Sequence, residues 1–304
     1  MFRNLKTLLV TNNRRIMSTT SGQKRLADKV AIVTASTDGI GLAIATRLAE
    51  DGARVVVSSR KEANVEKTVR SLRAKGLQVT GVVCHVGNRE HRQRLLQTTL
   101  REFGQVDVLV SNAAVNPAFG AFLDVSHDNH VIPSNAFSLS DFGRGVRKSK
   151  KSPKPRPHTH CCVQILSVNV TSAFLLTKEI VPEMRAYGSI VYISSIGAYQ
   201  PFPLIGAYSV SKTALLGLTK AVANQCAALS IRANCICPGI IRTKFSDALT
   251  GSEAAMEEIE RVVPMQRIGA PEDIAGIVAF LASDDSRYLT GESIVVAGGH
   301  YSRL

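Results

Sequence analysis

Apolar residues fall along this 304-residue chain in two rhythms. Short unbroken runs, VAIVT at 30–34, RVVVSS at 54–59, VDVLV at 106–110, SIVYI at 189–193 and IRANCI at 231–236, have the length and β-branched content of buried strands. Elsewhere the apolar positions recur at three- and four-residue intervals. LAIATRLAEDGA from Leu42 reads as a helix, and AYSVSKTALLGLTKAVANQCA from Ala207 reads as a buried amphipathic helix. Residues 244–268, with SDALTGSEAAMEEIE, suggest a mobile helical lid. The segment 126–164 follows neither rhythm: it is rich in Ser, Pro, Lys and Arg and reads as a disordered insert.

Chemistry gathers at the ends of these runs. The strand at 30–34 leads into Ala35-Ser-Thr-Asp-Gly39-Ile-Gly41 and then a helix, the strand–turn–helix setting in which glycines let backbone approach a dinucleotide pyrophosphate at the helix's positive end. On the helix from Ala207, Tyr208 and Lys212 are four apart and share a face, so the ammonium is expected to favour the phenolate. A free Tyr titrates near pH 10, and each unit of lowering needs about 1.4 kcal/mol; a shift of roughly two or three units would make Tyr208 an acid and base near neutrality. By itself such a pair reads as an ordinary surface contact, since a Tyr and a Lys four apart meet on any half-exposed helix. Phe202, Leu204, Phe245 and Met256 are candidates for an apolar pocket, or for plain packing.

These motifs, together with Ser111-Asn112-Ala113-Ala114 after the strand at 106–110 and Pro238-Gly239, resemble the short-chain dehydrogenase/reductase family over roughly 28–125 and 165–301. The phrases VTASTDGIG, VVVSSRK, VCHVG, SNAAVNP, YSVSKTALLGLTK and the terminal SRL are most similar to its peroxisomal NADPH-dependent carbonyl reductase and retinol dehydrogenase group. The resemblance implies a single Rossmann-type, doubly wound α/β domain with a parallel sheet between helices. It implies that Tyr208 is the general acid or base, that Ser195 orients the reacting oxygen, that Lys212 lowers the pKa of Tyr208 and holds the nicotinamide ribose, and that Asn169 anchors a proton-relaying water. Thr34, Ser36, Asp38, Gly39, Ile40 and Gly41 would cradle the cofactor phosphates, with Asn112 and Ala113 beside them. Pro238, Gly239, Ile240 and Thr243 would clasp the nicotinamide. One departure stands out: the family usually has Thr-Gly where this chain has Thr34-Ala35, which is tolerable if Ala35 keeps a negative φ. No acid closes the second strand; Ser59, Arg60 and Lys61 stand there, which favours NADP(H) over NAD(H) unless they are simply a solvated helix start.

The expected reaction is reversible reduction of apolar carbonyls such as retinal, aryl ketones or α-dicarbonyls, by a homodimer or homotetramer. Two alternatives remain: a non-catalytic binding or regulatory relative of the fold, and a reductase of 3-oxoacyl thioesters.

Composition sets the limits. Without residues 1–27 and the insert, about 240 residues remain, enough for one domain of this kind. The net charge of +13 invites a nucleic-acid reading, but residues 1–30 carry seven basic side chains against Asp28, and 126–164 carry seven against Asp128 and Asp141. Those stretches hold +11 of the +13, which leaves the catalytic body near neutral and disfavours a general nucleic-acid-binding face on the fold. The tract RKSKKSPKPRP could alternatively act as a nuclear address or RNA tether. No run of eighteen apolar residues predicts a membrane span. The six cysteines lack disulfide-framework spacing, and His158-Thr-His160-Cys161-Cys162 reads as incidental rather than as a metal site. With the insert in place the following helix is expected to start near Cys162, leaving Asn169 in its first turns. The insert is either a true surface loop or coding sequence gained by irregular splicing or a faulty gene model, the latter preferred. Ser302-Arg303-Leu304 is a variant of a peroxisomal import signal, and the acid-free, basic stretch before Asp28 suits a mitochondrial presequence, which a start at Met17 would remove.

Overall fold

The computed structural model describes residues 24–117, 158–202, 204–246 and 253–300. Both terminal address segments and most of the 126–164 stretch lie outside the described residues.

Seven strands form one parallel sheet in the order β3-β2-β1-β4-β5-β6-β7. They are β1 (Val30–Val33), β2 (Arg54–Ser59), β3 (Val79–Val83), β4 (Val106–Ser111), β5 (Met184–Ile193), β6 (Arg232–Pro238) and β7 (Ser293–Val296). The apolar runs are central strands buried on both faces, and successive residues feed opposite layers. Val33, Val57, Val110 and Ile193 pack with α1 (Gly39–Glu50) on one side, while Ile32, Val56, Leu109 and Tyr192 join the core on the other. Helices α2 (Glu62–Ala74) and α3 (Arg89–Phe103) complete the first half.

The second half opens with α4 (His158–Leu166), passes through a π-helical turn at Ser167–Thr171 and continues as α5 (Ser172–Ile180). A helix expected from about Cys162 thus begins a turn earlier, directly after Pro157, a residue that suits the threshold of a helix but not its interior. Asn169 accordingly sits in the middle of a long helical stretch and not in its first turns. Among the described residues, Cys161–Glu183 alone is long and apolar enough to cross a membrane by length and composition. In this fold it buries Asn169 and packs Leu176 and Ile180 into the core, as the central helix of an α/β layer does.

Helix α6 (Gly206–Cys226) carries the Tyr208–Lys212 face, α7 (Glu253–Val262) lies in the lid region, and α8 (Pro271–Ala282) covers the sheet beside α1. Ile259, Val263 and Ile268 form a small buried cluster with Ile240 and Met256 packed against it, so Met256 belongs to that packing and not to the pocket lining. Because β1 and β4 are neighbours whose following connections lead to opposite ends of the sheet, a crevice opens at their carboxyl ends.

Candidate active site

The first wall of that crevice is the turn between β1 and α1. Thr34 is fully buried, and its Oγ1 accepts from the backbone N–H groups of Asn112 (3.0 Å) and Ala113 (3.1 Å), tying the ends of β1 and β4 together. Ser36 donates to Val33 O at 2.7 Å and accepts from Ser58 N at 3.0 Å, which stitches the turn to the end of β2. Between them Ala35 adopts φ +51°. The condition under which alanine is readily tolerated here, a negative φ, is therefore not met: the turn keeps the left-handed geometry that a glycine would take freely, at a cost of about 1–2 kcal/mol to an L-residue. Asn112 Nδ2 holds the carbonyls of Thr34 and Ala35, each at 3.1 Å, and fixes that geometry. Gly41 has no alternative, since a Cβ there would lie 2.3 Å from Ala35 O.

The second wall carries the acid–base groups. Ser195, extended just after β5, accepts from Gly197 N at 3.0 Å, and its side chain lies close enough to Tyr208 to favour the phenolate. Ser194 Oγ donates to Lys212 O at 2.8 Å, which locks α6 against β5 and places Tyr208 over Ser195. Lys212 is 2% exposed; its Nζ donates to Ile193 O at 2.8 Å and lies 5.4 Å from the centroid of the Tyr208 ring. Burial lowers the pKa of Lys212 to about 8. Burial also raises Tyr208 well above the ordinary tyrosine value, only partly offset by the Ser195 side chain. The expected lowering of the phenol by Lys212 is thus not present: the ammonium points to a carbonyl behind the ring, and desolvation dominates both groups.

Asn169 touches neither hydroxyl. Its side chain brackets Val115, accepting from the N–H at 2.8 Å and donating to the carbonyl at 3.1 Å, and it donates also to Ser211 Oγ at 3.0 Å. Ser211 in turn donates to Tyr208 O at 2.6 Å. Asn169 therefore joins the loop after β4 to the helix of Tyr208.

The two walls enclose an open cleft of about 430 Å³. Of the residues singled out from sequence, Asp38, Gly39, Ile40, Gly41, Asn112, Ser195, Tyr208, Lys212, Pro238, Gly239, Ile240 and Thr243 line it. Thr34, Ser36, Ala113 and Asn169 stand behind it as supports, and Ser59, Arg60 and Lys61 lie beyond its wall, where β2 ends and α2 begins. Phe202 and Phe245 are in the lining, whereas Leu204 is replaced by its neighbour Ile205. Phe245 sits 5.6 Å from Tyr208, centroid to centroid. The sequence reading missed Ile196, Ile205 and Lys244, because nothing in their spacing separates a lining residue from a packing or solvated one.

Two protein-family profiles match the chain: one described as short chain dehydrogenase over residues 29–142, and one described as Enoyl-(Acyl carrier protein) reductase over 159–301. The chain is 50% identical to the dehydrogenase/reductase SDR family member 4 of Bos taurus over 281 residues, 92% of this chain and 89% of the relative. The human protein of the same name is 48% identical, covering 92% of this chain and 90% of the relative. Tropinone reductase-like 3 of Erythroxylum coca is 44% identical over 92% of this chain and 96% of the relative. Among solved structures, a short-chain dehydrogenase/reductase from Serratia marcescens superposes with TM-score 0.74 at 29% identity, covering 91% of this chain and all of that one (100%). A blue fluorescent protein from a metagenomic library in complex with NADPH superposes with TM-score 0.75 at 28% identity, with 91% and 100% coverage.

Proposed function

The chain belongs to the short-chain dehydrogenase/reductase family, and from that premise we propose that it reduces apolar carbonyl compounds to alcohols with NADPH. The observation that carries this reading is the Tyr208–Ser195 hydroxyl pair at the apolar end of a cleft whose other end is a glycine turn capped by a helix N-terminus. The residues present fit a nicotinamide dinucleotide: Gly39 and Gly41 leave the floor of the turn free of side chains beside the first N–H groups of α1. When bound, the nicotinamide supplies the hydride.

Everything else falls to the protein. Ser195 and Tyr208 would both hydrogen-bond the carbonyl oxygen, and Tyr208 donates its proton as negative charge builds there. A phenol whose pKa is raised stays protonated at neutral pH, and an alkoxide is a far stronger base, so the transfer is downhill. Lys212 places a cationic head behind the ring, braced on Ile193 O. Phe202, Ile205 and Phe245 supply an apolar wall suited to retinal, aryl ketones or α-dicarbonyls. Preference for NADPH is supported by Ser59 at the end of β2 and Arg60 and Lys61 after it, where an acid would repel a 2′-phosphate, and by the similarity to a protein crystallised with NADPH. A second reading, reduction of 3-oxoacyl thioesters, would use the same Ser195, Tyr208 and Lys212; the profile over 159–301 is described after a reductase of a different acyl-carrier substrate, an enoyl one. Assembly as a homodimer or homotetramer, and import into peroxisomes through Ser302-Arg303-Leu304, belong to the same proposal; a fluorescent fusion with and without that tripeptide tests the address.

The decisive experiment follows NADPH oxidation by the full chain against retinal, an aryl ketone, an α-dicarbonyl and a 3-oxoacyl thioester, with Tyr208→Phe as control. Turnover of the apolar ketones that vanishes in Tyr208→Phe, with NADPH binding retained, is the expected result; thioester turnover alone would select the second reading, and binding without any turnover a non-catalytic role. Arg60→Glu should weaken NADPH by about tenfold or more and leave NADH nearly unchanged, since a charge-assisted contact to one phosphate is lost.

A further inference from the structure

The turn after Ile241 sends three consecutive side chains into three parts of the cleft. Thr243 faces the glycine turn so closely that a Cβ on Gly39 would meet its Cγ2 at 3.1 Å. Phe245 lies against Tyr208. Between them, Lys244 Nζ is 2.6 Å from Asp38 Oδ2, across 206 residues of sequence. The turn is internally braced: Ser246 Oγ donates to Ile241 O at 2.6 Å and accepts from Thr243 N at 3.1 Å. Its position over the glycine turn is therefore a property of the fold.

Asp38 is the N-cap of α1, and its other oxygen accepts from Gly39 N at 2.9 Å. A single carboxylate thus separates the Lys244 ammonium from the first N–H of a helix of 12 residues. That carboxylate occupies the place, and makes the hydrogen bond, that an anionic ligand oxygen would take. A dinucleotide's diphosphate approaching this helix end must face the Asp38 charge, and Lys244 is the cation positioned to offset it. With side chains 58% and 81% exposed, the Asp38–Lys244 pair is screened by solvent and contributes little to stability, so a doubly charged ligand can compete for the ammonium.

We infer that Lys244 is a ligand of the cofactor diphosphate, released from Asp38 as the dinucleotide enters. The inference rests on the dinucleotide site of the proposed function but not on its coenzyme preference, because the diphosphate is common to NADH and NADPH. Lys244 and Arg60 are therefore separable: one should act on both nucleotides, the other on one.

The test is fluorescence or calorimetric titration of NADPH and of NADH into the full chain, wild type against Lys244→Met and Asp38→Asn, at low and high salt. Lys244→Met should weaken both nucleotides alike, by about tenfold, and flatten the salt dependence. Asp38→Asn keeps a capping side chain and removes the competing charge, so it should tighten both by about twofold to fivefold. Three results would overturn the assignment: unchanged affinity in Lys244→Met, a loss confined to NADPH, or weakening by Asp38→Asn as large as that by Lys244→Met, which would mark the pair as a structural clasp. If wild type bound neither nucleotide, the assignment and the reading beneath it would fall together; equal wild-type affinity for both would defeat only the NADPH preference.

Discussion

An ammonium taken out of water holds its proton less tightly, and Lys212, with a pKa of about 8 against about 10.5 in an unfolded chain, shows the consequence for stability. Between those values the unfolded state binds more protons, so stability rises with pH through that window; below the lower value the whole penalty, of order 3 kcal/mol, is in force. Tyr208 acts oppositely and later. Its folded pKa lies above the unfolded one, so its contribution is lost only as pH climbs past about 10. Ligand-free Lys212→Met should therefore gain most in melting temperature relative to wild type at about pH 7, and the gain should shrink toward pH 10 while turnover stays absent. A difference that does not change with pH would mean Lys212 is not carrying a buried charge. The Tyr208–Lys212 pairing was legible in the sequence, because helical spacing alone puts the two on one face. The direction of the tyrosine shift was not, because spacing carries no information about how much water each group loses. Ala35 makes the same point: its residue type argues for negative φ, and only the Asn112 and Ser36 bonds around it reveal that the turn imposes the opposite.

At the scale of elements, the π turn at Ser167–Thr171 matters most. An extra residue in a helical turn rotates the side chains that follow it, and such turns collect at functional sites. Here Asn169 lies inside it, reaching Val115 on the loop after β4 and Ser211 on α6. Asn169→Ala would leave the Val115 N–H and carbonyl without their partner and should cost about 2 kcal/mol, whereas Ser211→Ala removes one bond to Asn169 and should cost about 1 kcal/mol. Urea denaturation checks this through midpoints shifted at constant slope. Equal losses would show that the Val115 clamp is energetically idle. The strands were legible because parallel strands buried on both faces write themselves as unbroken apolar runs. The π turn was not, since SVNVT has no residue that distinguishes it from ordinary helix. The start of α4 at His158 was misread because a basic, proline-rich stretch immediately before it masks the onset of periodicity.

In the whole molecule β1 to β4, with the glycine turn, precede β5 to β7, with Ser195, Tyr208 and Lys212 between β5 and β6, and within the described residues the chain passes from the first group to the second through α4, its π turn and α5. The residues before that connection are where the sequence departs most from its surroundings. We propose that 126–157 is foreign to the fold, whereas 158–164 is not: Cys161 is buried, and α4 leads directly into the Asn169 clamp. Two deletions separate these parts. Removing 126–157 takes away a Ser-, Pro- and Lys/Arg-rich tract with no apolar periodicity and should leave the ligand-free melting temperature unchanged or raise it. Extending the cut to 164 also removes most of α4 and the burial of Cys161, and should lower the midpoint by several degrees, consistent with a loss of about 2 kcal/mol for a domain of this size. The charge argument agrees with this division, since the longer stretch accounts for +5 of the net charge and its basic side chains all lie at 144–156, within the shorter cut. If both deletions destabilise equally, 126–157 is an integrated loop, and its basic tract would have to be explained as part of this enzyme's working surface.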